Sequence, residues 1–315
     1  MDRLKARHHH IKTNGINLHV VDAGQGTPVF LLHGFPAIWS SWRAQIDGLS
    51  QAGYRVLVPD MRGYGESDTP QAPDLYTPFH TVGDLIGVLD HLDIERSALV
   101  GHDFGADIAW NAALMRPDRF SAVFSISIPF HPHGWPHFLG KVRTAGALDF
   151  YMFRQMQPEA DAEWSDAKTT IPAMYHWTSG YASLDERWDP FDPQKGFLRP
   201  APGPIGWASD YIDDAIAAFA RTGFHGPLNY YRAIDTFLDV ASGVFAGAIV
   251  RQPSAILMGE LDGLNALGLP DEQNSKPFLP NLREYAILEG VGHWPQLEAP
   301  EAVNNHLLAF LKSLE

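Results

Sequence analysis

ALVGHDFGADIAW, residues 98–110, sets three apolar residues (Ala98, Leu99, Val100) before Gly101, His102, Asp103, Phe104 and Gly105. Small and apolar residues of helical character follow. An apolar run closing on G-x-x-x-G and opening a helix reads as a strand, a sharp turn and a helix. A glycine on each side permits a strained backbone that exposes the middle side chain above a sheet. A helix starting at Phe104 favours negative charge there. The middle residue is Asp103. Capping that helix is the plainer role for such an aspartate, and the rest of the chain decides between the two.

Similar compact apolar runs lie at 29–32, 56–58, 122–126 and 255–258, with helical segments between them. Continuous apolar strands alternating with helices indicate a parallel sheet buried on both faces. Residues 16–21 alternate instead, which predicts a half-exposed strand of an antiparallel hairpin. His8, His9 and His10 begin a surface strand leading to the Asn14-Gly15 turn and do not read as a metal site. A last strand falls at 285–288 and a closing helix at 300–314.

The rhythm breaks between 129 and 251, a stretch rich in aromatics with a Pro/Gly-rich middle at 191–206. Within it, Tyr211, Ile212, Ala215, Ile216 and Phe219 form one helix face, with Ser209 as cap and Asp210 as first-turn acid. A helical insertion between two core strands is a lid. The expected architecture is α/β, a mostly parallel eight-stranded sheet with a helical lid inserted after the sixth strand. Residues 1–128 and 252–315 form the core and 129–251 the cap. Loops at the carboxyl ends of such strands are where these sheets bind ligands.

The chain has 315 residues, 45% hydrophobic, enough for a large core without staples. It contains no cysteine, which excludes disulfides and thiolate nucleophiles. A net charge of −14 repels phosphate backbones and anionic lipid, so neither nucleic acid nor membrane is an expected partner. The basic start, residues 1–7, lacks the apolar stretch of a signal peptide. No apolar run approaches the about 20 residues that span a bilayer. A cytoplasmic monomer or homodimer is expected. His131, His133 and His137 are interrupted by Pro132 and Pro136 and read as a loop, so no metal and no cofactor is expected.

The strand–elbow–helix at 98–110 resembles the nucleophile elbow of the α/β-hydrolases, whose middle residue is usually serine. In that fold one oxyanion-hole N–H comes from the loop after the third strand and another from the residue after the nucleophile. His33-Gly34-Phe35-Pro36 follows an apolar strand, which points to the backbone amides of Phe35 and Phe104 as donors; His33 itself reads as a structural histidine. The triad order is nucleophile, acid, histidine. Asp262 lies just past the strand at 255–258 and is preferred to Glu260, which lies less far into the loop. Among 15 histidines, chain order singles out His293, past the last strand. Asp60, with Arg62, reads as orienting the loop after its own strand.

An aspartate at the elbow changes the chemistry. Serine attacking a saturated carbon would leave an ether that activated water cannot cleave. A carboxylate is already ionised at neutral pH, and its displacement at an alkyl carbon gives an ester. Water activated by His293 can hydrolyse that ester at the aspartyl carbonyl, with the Phe35 and Phe104 amides holding the oxyanion. Attack on an ester substrate would give an anhydride prone to reversal. Asp103 therefore points to an epoxide or alkyl halide electrophile.

The chain resembles the α/β-hydrolase-fold epoxide hydrolases over nearly its whole length. The resemblance is carried by residues 33–36, Arg62-Gly63-Tyr64-Gly65-Glu66-Ser67, residues 101–105 and Val291-Gly292-His293-Trp294. It implies diol formation from a small apolar epoxide and water through a covalent aspartyl ester. Residues 222–232 match the family's segment carrying a ring-opening tyrosine, which implies Tyr231. The second family tyrosine, about seven residues before a proline early in the lid, falls on Tyr151. Haloalkane dehalogenases carry an asparagine and a tryptophan where Phe35 and Phe104 stand, and haloacid enzymes an arginine after the nucleophile. A non-catalytic receptor on this fold is the remaining alternative, and a mutated triad member would be its sign. Trp164, Trp177, Trp188 and Trp207 suggest an apolar pocket under the lid.

Overall fold

A computed structural model describes residues 6–315, so the first five residues of the basic N-terminal stretch lie outside it. The strands are β1 (Ala6–Thr13), β2 (Ile16–Gly24), β3 (Thr27–Leu32), β4 (Tyr54–Pro59), β5 (Ser97–His102), β6 (Phe120–Ile126), β7 (Ser254–Gly259) and β8 (Leu282–Leu288). They form one eight-stranded sheet in the order β1-β2-β4-β3-β5-β6-β7-β8. Only the β1–β2 and β2–β4 pairings are antiparallel. All pairings from β4 to β8 are parallel.

Period-2 alternation sorts the strands' side chains between two cores. Val29 and Leu31 of β3 join Val56, Val58, Ala98 and Val100 on one face. There they meet Trp42, which precedes α1 (Arg43–Gln51), Ile46 and Leu49 of α1, and Val303 and Leu307 of a C-terminal helix at Pro300–Lys312. Phe30 and Leu32 join Leu57 and Leu99 on the other face, against α2 (Pro78–His91) and α3 (Phe104–Met115). A slip of one residue would swap the two sets. Since burying each such side chain contributes about 1.5–3 kcal/mol, the register is strongly specified.

Between β6 and β7 the chain forms α4 (Phe138–Thr144), α5 (Tyr151–Gln155), α6 (Ala160–Trp164), α7 (Ala167–Trp177), α8 (Ser209–Thr222) and α9 (His225–Val244). After β7 come α10 (Glu272–Ser275), α11 (Pro295–Glu298) and the closing α12 (Pro300–Lys312).

Three local expectations need correction. β2 is buried almost throughout, because β1 and β4 flank it and both faces are covered: Leu18 and Val20 enter one core, Val21 and Ala23 the other. Ser209 is the first residue of α8 and not its cap; Ala208 holds the cap position, while Asp210 does lie in the first turn. Arg62 does not work with Asp60. It makes a bidentate pair with Asp84 on α2, Nε–Oδ2 at 2.7 Å and Nη2–Oδ1 at 2.6 Å, both side chains fully buried. Asp60 alone ties its loop, accepting from the amides of Trp39 and Glu66 and pairing with His19 at 2.8 Å.

Candidate active site

Asp103 sits between β5 and α3 with φ +55° and ψ −125°, and its side chain makes no cap to that helix. The capping reading is therefore excluded by geometry. The elbow's strain rests on the aspartate, since neither flanking glycine has a positive φ. Gly105 is needed for space: a Cβ there would lie 2.1 Å from the carbonyl oxygen of Leu32. Gly34 serves the carboxylate directly, because a Cβ on it would lie 2.2 Å from Asp103 Oδ1. With that space open, the Phe35 amide donates to Oδ1 at 2.8 Å. Phe104 supplies the first residue of α3, and its amide makes no hydrogen bond to the resting carboxylate. His33 is structural as expected: Nδ1 donates to the Gly34 carbonyl and Nε2 accepts from the Met61 amide, both at 3.0 Å.

The loops after β7 and β8 bring Asp262 and His293 to the elbow. His293 Nδ1 is 2.9 Å from Asp262 Oδ2, and its Nε2 is 3.6 Å from Asp103 Oδ2. Glu260 points elsewhere, accepting from the Gly290 amide. Burial by itself would lower the His293 pKa, but the Asp262 charge and the contacts with Asp103 raise it to about 10. Burial would raise Asp103, yet His293, His102 and the Phe35 amide hold it below its ordinary value.

Several residues that fix His293 carry no recognisable sequence signal. Glu298 accepts from the amides of Gly292 (3.0 Å), Trp294 (2.9 Å) and Gly180 (2.8 Å), clamping the loop on both sides of the histidine. The His293 amide donates to the Thr178 carbonyl at 2.9 Å, just past α7. His102 Nε2 donates to the His293 carbonyl at 2.7 Å. Only His102, adjacent to the elbow in sequence, could have been suspected.

Tyr231 on α9 packs edge-on against Phe35 and Phe104, with ring centroids 5.1 and 4.8 Å away. Tyr151, the first residue of α5, meets Tyr231 at 6.1 Å. Tyr175 and Tyr230 spend their hydroxyls on the carbonyls of Pro36 and Arg62, whereas the buried Tyr64 hydroxyl has no partner among the described residues. The hydroxyls of Tyr151 and Tyr231 have no hydrogen-bond partner among the described residues. Burial and the Asp103 charge push both phenols well above their ordinary pKa, so both stay protonated as donors.

A cavity of about 160 Å³ opens beside Asp103, Phe104 and Tyr151. Ile108, Ile128, Phe138, Ile234 and Phe237 give it an apolar wall. None of the four lid tryptophans lines it. Trp164 is instead fully buried against Phe35, Phe197 and Phe224. Among the described residues no group of histidines and acids is arranged to hold a metal ion, and no helix is long and apolar enough to cross a membrane.

Sheet order, elbow and acid–histidine loops define an α/β-hydrolase, and the family model for the alpha/beta hydrolase fold matches residues 27–300. The chain is 48% identical to an epoxide hydrolase of Caballeronia sordidicola, over 97% of this chain and 93% of that protein. It is 39% identical to epoxide hydrolase A of Mycobacterium tuberculosis over 97% of each. The crystal structure of epoxide hydrolase A from Mycobacterium thermoresistibile superposes with a TM-score of 0.89 at 35% identity, covering 99% of both chains. The chain belongs to the epoxide hydrolases of the α/β-hydrolase fold.

The His293 pairing has a pH signature. Its contribution to folding is complete below about pH 6.5, where a free imidazole is protonated too, and is lost as pH rises toward 10. The stability gap between wild type and Asp262→Asn should narrow over that interval in thermal unfolding. A gap that widens with rising pH would show that the pair is not the source.

Proposed function

We propose that Asp103 opens an epoxide by attack through Oδ2 and that the resulting ester is hydrolysed by water activated at His293, yielding a vicinal diol. The observation that carries this reading is the division of labour at one carboxylate. Oδ1 is held by the Phe35 amide at 2.8 Å, while Oδ2 is the oxygen nearest His293 Nε2. Oδ1 is thereby placed to become the ester carbonyl oxygen and then the oxyanion, with the Phe104 amide as the second donor once charge develops. Tyr151 and Tyr231 donate to the epoxide oxygen as its bond to carbon breaks, so the leaving alkoxide is never free.

The resting pair also explains the order of steps. An ionised Asp103 keeps His293 protonated, so the histidine is no base before alkylation. Esterification removes that negative charge and lowers the His293 pKa. The imidazolium proton leaves through water to replace the one that the tyrosines pass to the alkoxide, and the neutral Nε2 can then take a proton from the hydrolytic water. Asp262 holds the ring by Nδ1 and balances the imidazolium that forms.

Residues 129–251 serve as the cap that brings both tyrosines over the elbow and covers the apolar cavity. The acidic chain without cysteine supports a cytoplasmic setting, and the cavity's apolar wall supports a small, largely apolar epoxide. Turnover of aryl and alkyl epoxides should far exceed that of haloalkanes and p-nitrophenyl esters of similar size. Halide release faster than diol formation would reverse the substrate assignment.

A further inference from the structure

Amid the apolar wall of the cavity stands one carboxylate that the mechanism does not use, Asp107. It lies on α3 four residues beyond Asp103, and both acids line the same cavity. No lysine or arginine lines the cavity, and Asp107 forms no ion pair among the described residues. Burial and the Asp103 charge push its carboxyl up to about 7, only partly offset by Asn111. An unpaired acid facing an apolar cavity is costly.

The neighbouring polar groups narrow what would pair with it. Tyr76 and Tyr230 also line the cavity, but their hydroxyls donate to the carbonyls of Pro70 and Arg62. His131 donates from Nδ1 to the Pro129 carbonyl at 3.1 Å, which leaves Nε2 without a proton in the neutral ring. Apart from the groups assigned to the reaction, the wall thus offers acceptors: the Asp107 carboxylate and His131 Nε2. Because the Asp107 carboxyl is pushed up to about 7, it is acceptor-only once ionised, and a ligand that donates is complementary to that form.

We propose that Asp107 is a specificity-determining residue that accepts a hydrogen bond from a donor, a hydroxyl or an ammonium, on the arm of the epoxide that does not react. With Asp103 at the epoxide carbon, an arm lying in the cavity along Phe104, Asp107 and Ile108 of α3 passes the Asp107 carboxylate. The proposal rests on Asp103 being the nucleophile.

The test compares three terminal epoxides on straight chains of equal length, ending in a methyl, a hydroxyl or an ammonium group. Each is assayed on wild type, Asp107→Leu and Asp107→Asn. A hydrogen bond to a charged group corresponds to about 10- to 100-fold in kcat/KM. Wild type should favour at least one donor-bearing epoxide over the methyl one by that factor, mainly through KM, and Asp107→Leu should abolish the preference. Asp107→Asn distinguishes the donors: it retains a preference for the hydroxyl, which needs only an acceptor, and loses one for the ammonium, which needs the charge. If Asp107→Leu fails to fold, the ammonium-to-methyl ratio in Asp107→Asn carries the test and must fall about 10-fold. Equal use of all three epoxides by wild type, or a donor preference that survives in Asp107→Leu, overturns the proposal. Turnover retained in Asp103→Ala would instead overturn the nucleophile assignment, so the two failures are distinct.

Discussion

Intact-mass spectrometry of His293→Gln after exposure to an epoxide should show one added substrate mass, mapped by peptide analysis to Asp103. The variant keeps the carboxylate, the Phe35 amide and both tyrosines, so the ring still opens. It lacks the base at Nε2, so the ester persists. Loss of a triad member typically costs several orders of magnitude, about 10⁴-fold or more in steady-state turnover. Asp103→Ala should show neither adduct nor turnover. Wild type should show no adduct at long times, and a single turnover in H₂¹⁸O should label Asp103, because water attacks its carbonyl carbon. Label found only in the diol, with Asp103 unlabelled, would establish direct attack by water.

Replacing both Tyr151 and Tyr231 by phenylalanine should nearly abolish ring opening while leaving the protein folded. The two hydroxyls have no protein partner to lose, so their removal leaves no unsatisfied group in the core. Deleting one donor to a developing oxyanion costs about 10²–10³-fold. Each single variant should lose up to that much, less where the remaining phenol compensates. The deficit should appear in formation of the ester, read as slower adduct accumulation when each change is combined with His293→Gln. Near-normal epoxide turnover by the folded double variant would show that the leaving oxygen is stabilised elsewhere.

How much of this could be read beforehand follows from how far apart the interacting residues lie in the chain. The parallel strands were legible at 29–32, 56–58, 98–100, 122–126 and 255–258 because burial on both faces writes itself as unbroken apolar runs. β2 misled for the same reason in reverse: its polar residues imitate exposure, but His19 and Asp22 are buried against partners far along the chain, Asp60 and Arg55. The four tryptophans likewise suggested an apolar pocket, yet none of them lines the cavity, and Trp164 packs on Phe35, Phe197 and Phe224 instead.

The sequence by itself determined the elbow, the order of acid and histidine after their strands, and through aspartate the kind of bond this protein can attack. These are local or ordinal properties: a turn needs its glycines nearby, and a parallel sheet delivers each successive loop to the same edge. Only the tertiary structure decided which long-range partners hold the parts in place. The Glu298 clamp on the His293 loop, the Thr178 carbonyl beneath it and the Arg62–Asp84 pair join segments with no shared pattern. It also decided that Asp107, one more helical residue in the sequence, faces the cavity. Which face of α3 meets substrate depends on how that helix docks between the sheet and residues 129–251, and docking is set by shape and burial summed over the whole core.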